Sequence, residues 1–215
     1  MSSKKRLLQR TKLYLVVSVT PRTKLSFFRI EAALRGGVDV LQLRCKGISD
    51  SLFLRYAQRL RKITKSYKCI FIINDRPDIA LLASADGVHI GQDDIDSRTA
   101  RKFLGREQII GLSTHSIRQI RDASSNRAVD YIGIGPIFKT PTKPKARPIG
   151  PAIIKKAASF KKLPPFFVIG GIDTENLQFV KDAGAQRVAV VRAIMNAKNP
   201  QLTAKRFKDI LNGTD

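Results

Sequence analysis

The chain has 215 residues, 43% hydrophobic and 27% charged, with 14 glycines and 10 prolines, a profile that supplies a full core and excludes wholesale disorder, collagen and coiled coil. Forty Lys and Arg against 17 Asp and Glu give a formal net charge of +23, which points to an anionic partner, either small phosphorylated substrates or a polyanion. No apolar run approaches the ~20 residues of a membrane span, and the two cysteines lie outside any metal-binding spacing, as in a protein of the reducing cytoplasm.

Residues 1–11 read as a short basic tail, since the apolar stretch that follows ends at Thr20-Pro21-Arg22 without a small-x-small cleavage site. From residue 12 to 215 apolar runs of strand length alternate with amphipathic stretches, the rhythm of a parallel sheet with crossover helices. Eight strands are predicted, at 12–19, 38–45, 69–73, 87–90, 109–112, 131–135, 166–169 and 187–191. Helices fall between them, for example at 26–34 and at 50–65, where Leu52, Tyr56, Leu60 and Ile63 recur at helical spacing. Similar turns, Gly37-Val38-Asp39, Ser84-Ala85-Asp86, Ala128-Val129-Asp130 and Gly184-Ala185-Gln186, precede the even-numbered strands. That repetition suits a single eight-stranded parallel (β/α) TIM barrel; an open doubly wound sheet is the structural alternative. The cations of the second helix read as a solvated face.

In a barrel, chemistry is built where strands end. Along Gln42-Leu43-Arg44-Cys45-Lys46, alternation puts Gln42, Arg44 and Lys46 on one side, either in the barrel mouth gripping an oxyanion or on a wet edge. Asn74-Asp75 after the third strand is an amide beside a hard-cation ligand, or ordinary turn chemistry. Asp94, after the fourth, could share one Mg²⁺ with Asp75, or cap the next helix together with Asp93 or Asp96. His89 reads as a packed, hydrogen-bonded histidine. Ser113 offers a hydroxyl to phosphate or caps a helix; two histidines and no Gly-x-Ser-x-Gly elbow argue against a serine-hydrolase triad. The long loop 138–148 reads as a lid or a plain surface loop, and its Thr140, Thr142 and Lys143 match a phosphorylated ligand. Gly170-Gly171 reads as a paired glycine opening a helix, its amides free to approach phosphate, with Arg192 adding a cation nearby.

Together these segments resemble the thiamine phosphate synthase family. They are Gln42-x-Arg44-x-Lys46, Asn74-Asp75-Arg76-x-Asp78, Gly87-Val88-His89-Ile90-Gly91-Gln92-x-Asp94, Ser113-x-His115, Gly133-x-Gly135-Pro136-x-Phe138, Thr140-x-Thr142-Lys143, Gly170-Gly171-Ile172 and Ala189-Val190-Val191-x-Ala193-Ile194. The resemblance implies Mg²⁺-dependent joining of hydroxymethylpyrimidine diphosphate to hydroxyethylthiazole phosphate. It implies Mg²⁺ on Asp75 and Asp94, the pyrimidine and diphosphate on Gln42, Arg44, Lys46 and Asn74, and Ser113 and Lys143 at the diphosphate. Thr140, Thr142, Gly170, Gly171 and the backbone at Val191 would receive the thiazole phosphate. Arg192 stands where the family often has serine, and the opening strand lacks an acidic residue frequent there. The competing readings are a thiazole tautomerase-like barrel and a non-catalytic polyanion-binding barrel; no specific nucleic acid is expected, and a homo-oligomer is compatible with the sequence.

Overall fold

A computed structural model describes residues 2–142 and 146–214. The long, doubly buried apolar runs form strands β1 (Leu13–Val19), β2 (Val40–Cys45), β3 (Ile70–Asn74), β4 (Gly87–Ile90), β5 (Ile109–Thr114), β6 (Tyr131–Ile134), β7 (Phe166–Ile169) and β8 (Val188–Val190). They pair in sequence order, every neighbour parallel, and β1 closes on β8 through Leu13↔Val188 to Leu15↔Val190. Helices α2 (Phe27–Arg35), α3 (Asp50–Ser66), α4 (Pro77–Leu82), α5 (Ser97–Leu104), α6 (Ile117–Ser124), α7 (Ala152–Ala158) and α8 (Leu177–Asp182) join successive strands. The short α9 (Arg192–Met195) and α10 (Pro200–Asn212) follow β8. The barrel prediction holds, and every strand lies within two residues of its expected limits.

Strand alternation divides the core in two. Leu13, Leu15, Leu41, Leu43, Phe71 and Ile73 face the helices, whereas Tyr14, Val16, Val40, Ile72, Tyr131 and Phe167 fill the barrel interior. One interior position is made by an absence: a Cβ at Gly111 would lie 2.1 Å from the Tyr131 ring, so glycine is what lets that ring cross the interior.

Two elements differ from expectation. Residues 3–10, read as tail, form helix α1 (Ser3–Arg10), which Ser2 caps through the Lys5 amide. Its single buried side chain, Leu8, joins the interior cluster, and Lys4 and Lys5 pair with Asp86 and Asp130. Helix α3 buries Phe53, Ala57, Leu60 and Thr64; Leu52, Tyr56 and Ile63 flank that stripe, because Tyr56 turns toward α2 and meets Phe27 edge-on at 6.1 Å. Ser49 caps this helix through the Leu52 amide, and its Arg55, Arg59 and Lys62 are solvent-exposed, with Arg59 over the Phe27 ring at 3.8 Å.

The repeated turns have a common function in the fold. Asp39 accepts from the Lys12 and Leu13 amides, Asp86 from Phe71 and Asp130 from Ile110, so each acid pins the start of the preceding odd-numbered strand. Helix cations neutralise them: Lys208 at Asp39, Arg61 at Asp86 and Arg101 at Asp130. Gln186, at the fourth such turn, is exposed.

Candidate functional site

A cavity of about 490 Å³ opens at the C-terminal ends of the strands. One wall is polar, built from Gln42, Arg44, Asn74, His89 and Ser113, each on an inward strand position. Strand register places Gln42 opposite Ile72, Asn74 opposite His89 and Ser113 opposite Gly133. Arg44 is fixed on the barrel side by its Nη1, which donates to Ser18 Oγ at 3.2 Å across the β1–β2 pair. The wet-edge alternative for β2 is thereby excluded, since β2 is flanked by β1 and β3. Cys45 packs among the outer apolar groups instead.

Lys46, Asp75 and Asp94 stand beside this wall and outside the cavity lining. Asp75 leaves β3 at φ +63°, a conformation uncommon for a side-chain-bearing residue, and its amide donates to the His89 carbonyl at 2.8 Å. Its carboxylate pairs with the Lys46 ammonium and meets that of Asp94. Burial, and then the Asp75 carboxylate, raise the proton affinity of Asp94, while the Gly91 amide at 2.7 Å and Lys46 oppose them. The capping alternative falls to Asp96, which accepts from the Arg98 and Thr99 amides at the start of α5.

Across the cavity lie Thr140, Thr142, Gly170, Gly171, Val191 and Arg192. The loop carrying the threonines folds over the glycine pair: a Cβ at Gly170 would lie 2.6 Å from Pro136 Cα, and one at Gly171 2.7 Å from the Lys139 carbonyl oxygen. The glycines do not open a helix as expected. Both have positive φ, +108° and +67°, which a helix cannot use, and a turn follows in which Asp173 accepts from the Glu175 and Asn176 amides. Helix α8 begins only at Leu177. Lys143 lies outside the described residues.

Ser113 is no helix cap; Ser116 caps α6, and Ser113 Oγ lies 2.9 Å from His89 Nε2. The cavity floor, Tyr14, Tyr131 and Phe167, was not singled out from the sequence, because an aromatic in an apolar run reads as core. The available signal was alternation: Tyr14 shares the inward face with Val16 and Ser18, as Gln42 does with Arg44.

The arrangement sets one cation, Arg44, and neutral polar groups on one wall, the Asp75–Asp94 carboxylate pair with Lys46 beside it and a loop-over-glycine cradle opposite. It can hold two ligands with anionic groups at separate places in one cavity. Among the described residues there is no group of three or more His, Cys, Asp or Glu side chains suited to a metal ion, and no helix long and apolar enough to cross a membrane.

The profile of the family described as thiamine monophosphate synthase matches residues 13–194. The thiamine-phosphate synthase of Synechococcus sp. WH7803 is 45% identical over 183 residues, which are 85% of this chain and 51% of that protein. That of Nostoc sp. PCC 7120 is 45% identical over 206 residues, 96% of this chain and 57% of that protein. The chain thus spans about half the length of the curated relatives it matches. Among solved structures, thiamine phosphate pyrophosphorylase from Pyrococcus furiosus superposes with a TM-score of 0.85 at 29% identity, covering 99% of both chains.

Proposed function

The chain belongs to the thiamine monophosphate synthase family, and we propose that it joins hydroxymethylpyrimidine diphosphate to hydroxyethylthiazole phosphate, giving thiamine phosphate and pyrophosphate. One observation carries the reading: the polar wall of Gln42, Arg44, Asn74 and Ser113 faces the Thr140, Thr142, Gly170 and Gly171 cradle across a single cavity. A diphosphate bound to the wall and a phosphate in the cradle bring the pyrimidine methylene and the thiazole nitrogen into the same space. Such positioning supplies much of the acceleration in a reaction that needs no classical general base.

The step is a substitution at carbon. The bond between the pyrimidine methylene and the diphosphate oxygen breaks with its electron pair on oxygen; the aminopyrimidine carries the transient positive charge; the thiazole nitrogen lone pair forms the new carbon–nitrogen bond. Charge grows on the departing oxygens, where Arg44 and Lys46 act as fixed cations and Ser113 as a donor. We assign Lys143 to the same group from its place in the Thr140-x-Thr142-Lys143 motif. Arg192 adds a cation beside the cradle, suited to the thiazole phosphate.

The Asp75–Asp94 pair fits Mg²⁺. Two carboxylates in contact, one of them raised toward its neutral form by burial and by the other, are hard oxygen donors that a divalent ion would hold ionised together. When bound there, Mg²⁺ would supply charge compensation to the diphosphate. Retention of this pair with the threonine loop favours the synthase over a tautomerase-like reading.

The purified chain incubated with both precursors should form thiamine phosphate with Mg²⁺ and lose that activity in EDTA; absence of product under both conditions would defeat the proposal. Asp94→Asn should cost about a hundredfold in kcat or more with an unchanged circular dichroism spectrum. Wild-type turnover in that variant would remove the metal assignment.

A further inference from the structure

A continuous line of side-chain hydrogen bonds runs beneath the polar wall. Gln42 Nε2 donates to Tyr14 Oη at 2.7 Å, the Tyr14 and Tyr131 hydroxyls are 2.8 Å apart, Tyr131 Oη lies 3.0 Å from His89 Nδ1, and His89 Nε2 lies 2.9 Å from Ser113 Oγ. Five strands contribute one residue each. Both tyrosines are buried, and burial pushes both hydroxyls well above the usual phenol range, so each keeps its proton and has to place it.

The direction follows from the first donor. An amide nitrogen only gives, so Tyr14 receives from Gln42; either hydroxyl of the Tyr14–Tyr131 pair can be the donor, and the orientation that gives every proton in the line an acceptor has Tyr14 giving to Tyr131. Tyr131, having received, gives to His89 Nδ1. A neutral imidazole that accepts at Nδ1 carries its proton on Nε2, and Nε2 then gives to Ser113 Oγ. The serine hydroxyl proton is left to point elsewhere, and Ser113 lines the cavity.

We propose that Tyr14, Tyr131 and His89 are positioning residues that lock His89 as the Nε2–H form and hold Ser113 as a hydrogen-bond donor aimed at an anionic oxygen in the cavity. The inference rests on the reaction proposed above in one respect only, that the oxygen belongs to the departing diphosphate. Reversal of the line would make Ser113 give its proton to His89 and present only lone pairs to an anion, an arrangement that repels such a ligand. Packing holds the geometry: Phe167 meets Tyr14 and Tyr131 edge-on at 5.1 and 5.6 Å, and the Tyr131 ring fills the space left by Gly111. The hydroxyls therefore have little freedom to exchange partners.

The test begins without substrate. The chain has two histidines, so long-range proton–nitrogen NMR of the full chain labelled with ¹⁵N-histidine, with His115→Gln to assign the signals, reads the tautomer of His89. A protonated Nε2 with a bare Nδ1 is expected; a proton on Nδ1, alone or with one on Nε2, overturns the proposal. Tyr131→Phe should abolish the tautomer preference and lower kcat about tenfold, the loss of one aligned hydrogen bond, with KM for either precursor little changed. The same change made in Ser113→Ala should cost nothing further, because the line then has no end to act on; full additivity of the two losses would overturn the proposal. Tyr14→Phe acts one link further away, should shift both readouts less in the same sense, and carries the test if Tyr131→Phe does not fold. Absence of thiamine phosphate from the wild type would defeat the proposed reaction and leave the tautomer measurement standing on its own.

Discussion

Burial governs the protonation of several single residues here and makes the fold less stable as pH rises. Cys45 is pushed up to about 12, mostly by burial, with Arg44 drawing it slightly back. Cys69, Tyr14 and Tyr131 are raised for the same leading reason. In the unfolded chain thiols ionise near ~8.5 and phenols near ~10, so above those values the unfolded state has released protons that the fold still holds. Stability is then lost as pH rises. The urea midpoint should fall as pH climbs from about 8.5 toward about 12, more steeply past about 10, and Cys45→Ala should flatten the first part of that fall; a midpoint independent of pH across the range would refute the account. Residue identity marked Gln42 and Arg44 as polar positions on an otherwise apolar strand but left a barrel mouth and a wet edge equally open; closure of the barrel around β2 decides between them. Residue identity concealed Tyr14 and Tyr131, whose rings satisfy the packing pattern while their hydroxyls do something else.

At the level of elements, the strands were legible because a parallel sheet covered on both faces needs unbroken apolar runs. Helix α1 was not, since Leu7 and Leu8 among basic residues make no stripe. Its stability comes from what lies above it: Leu8 is 1% exposed among the interior side chains, a target visible only once the barrel has closed. Leu8→Ala should therefore lower unfolding free energy by about 2–4 kcal/mol, measured by urea denaturation. The turn after Gly171 escaped sequence reading for a related reason, because a glycine pair is equally compatible with a helix start and with the two positive-φ steps that lead away from one.

For the whole molecule, the excess of cations is the dominant long-range quantity, and both proposed substrates are anions. A field of one sign raises the rate of encounter without altering the chemical step. Raising ionic strength from about 0.1 to 1 M, which shortens the screening length from about 10 to 3 Å, should reduce kcat/KM severalfold while kcat changes little; initial rates over a salt series decide it, and equal falls in both would argue against steering. The order of acids in the repeated turns, present at Asp39, Asp86 and Asp130 and replaced by Gln186, was readable in the sequence, but their use as strand anchors depends on register. The aromatic floor of Tyr14, Tyr131 and Phe167, backed by Leu8 from α1, makes the cavity a cul-de-sac. Traffic through such a space is ordered by depth: a guest seated near the bottom has to arrive before a guest at the mouth, and a bulky product has to back out the way its parts came in.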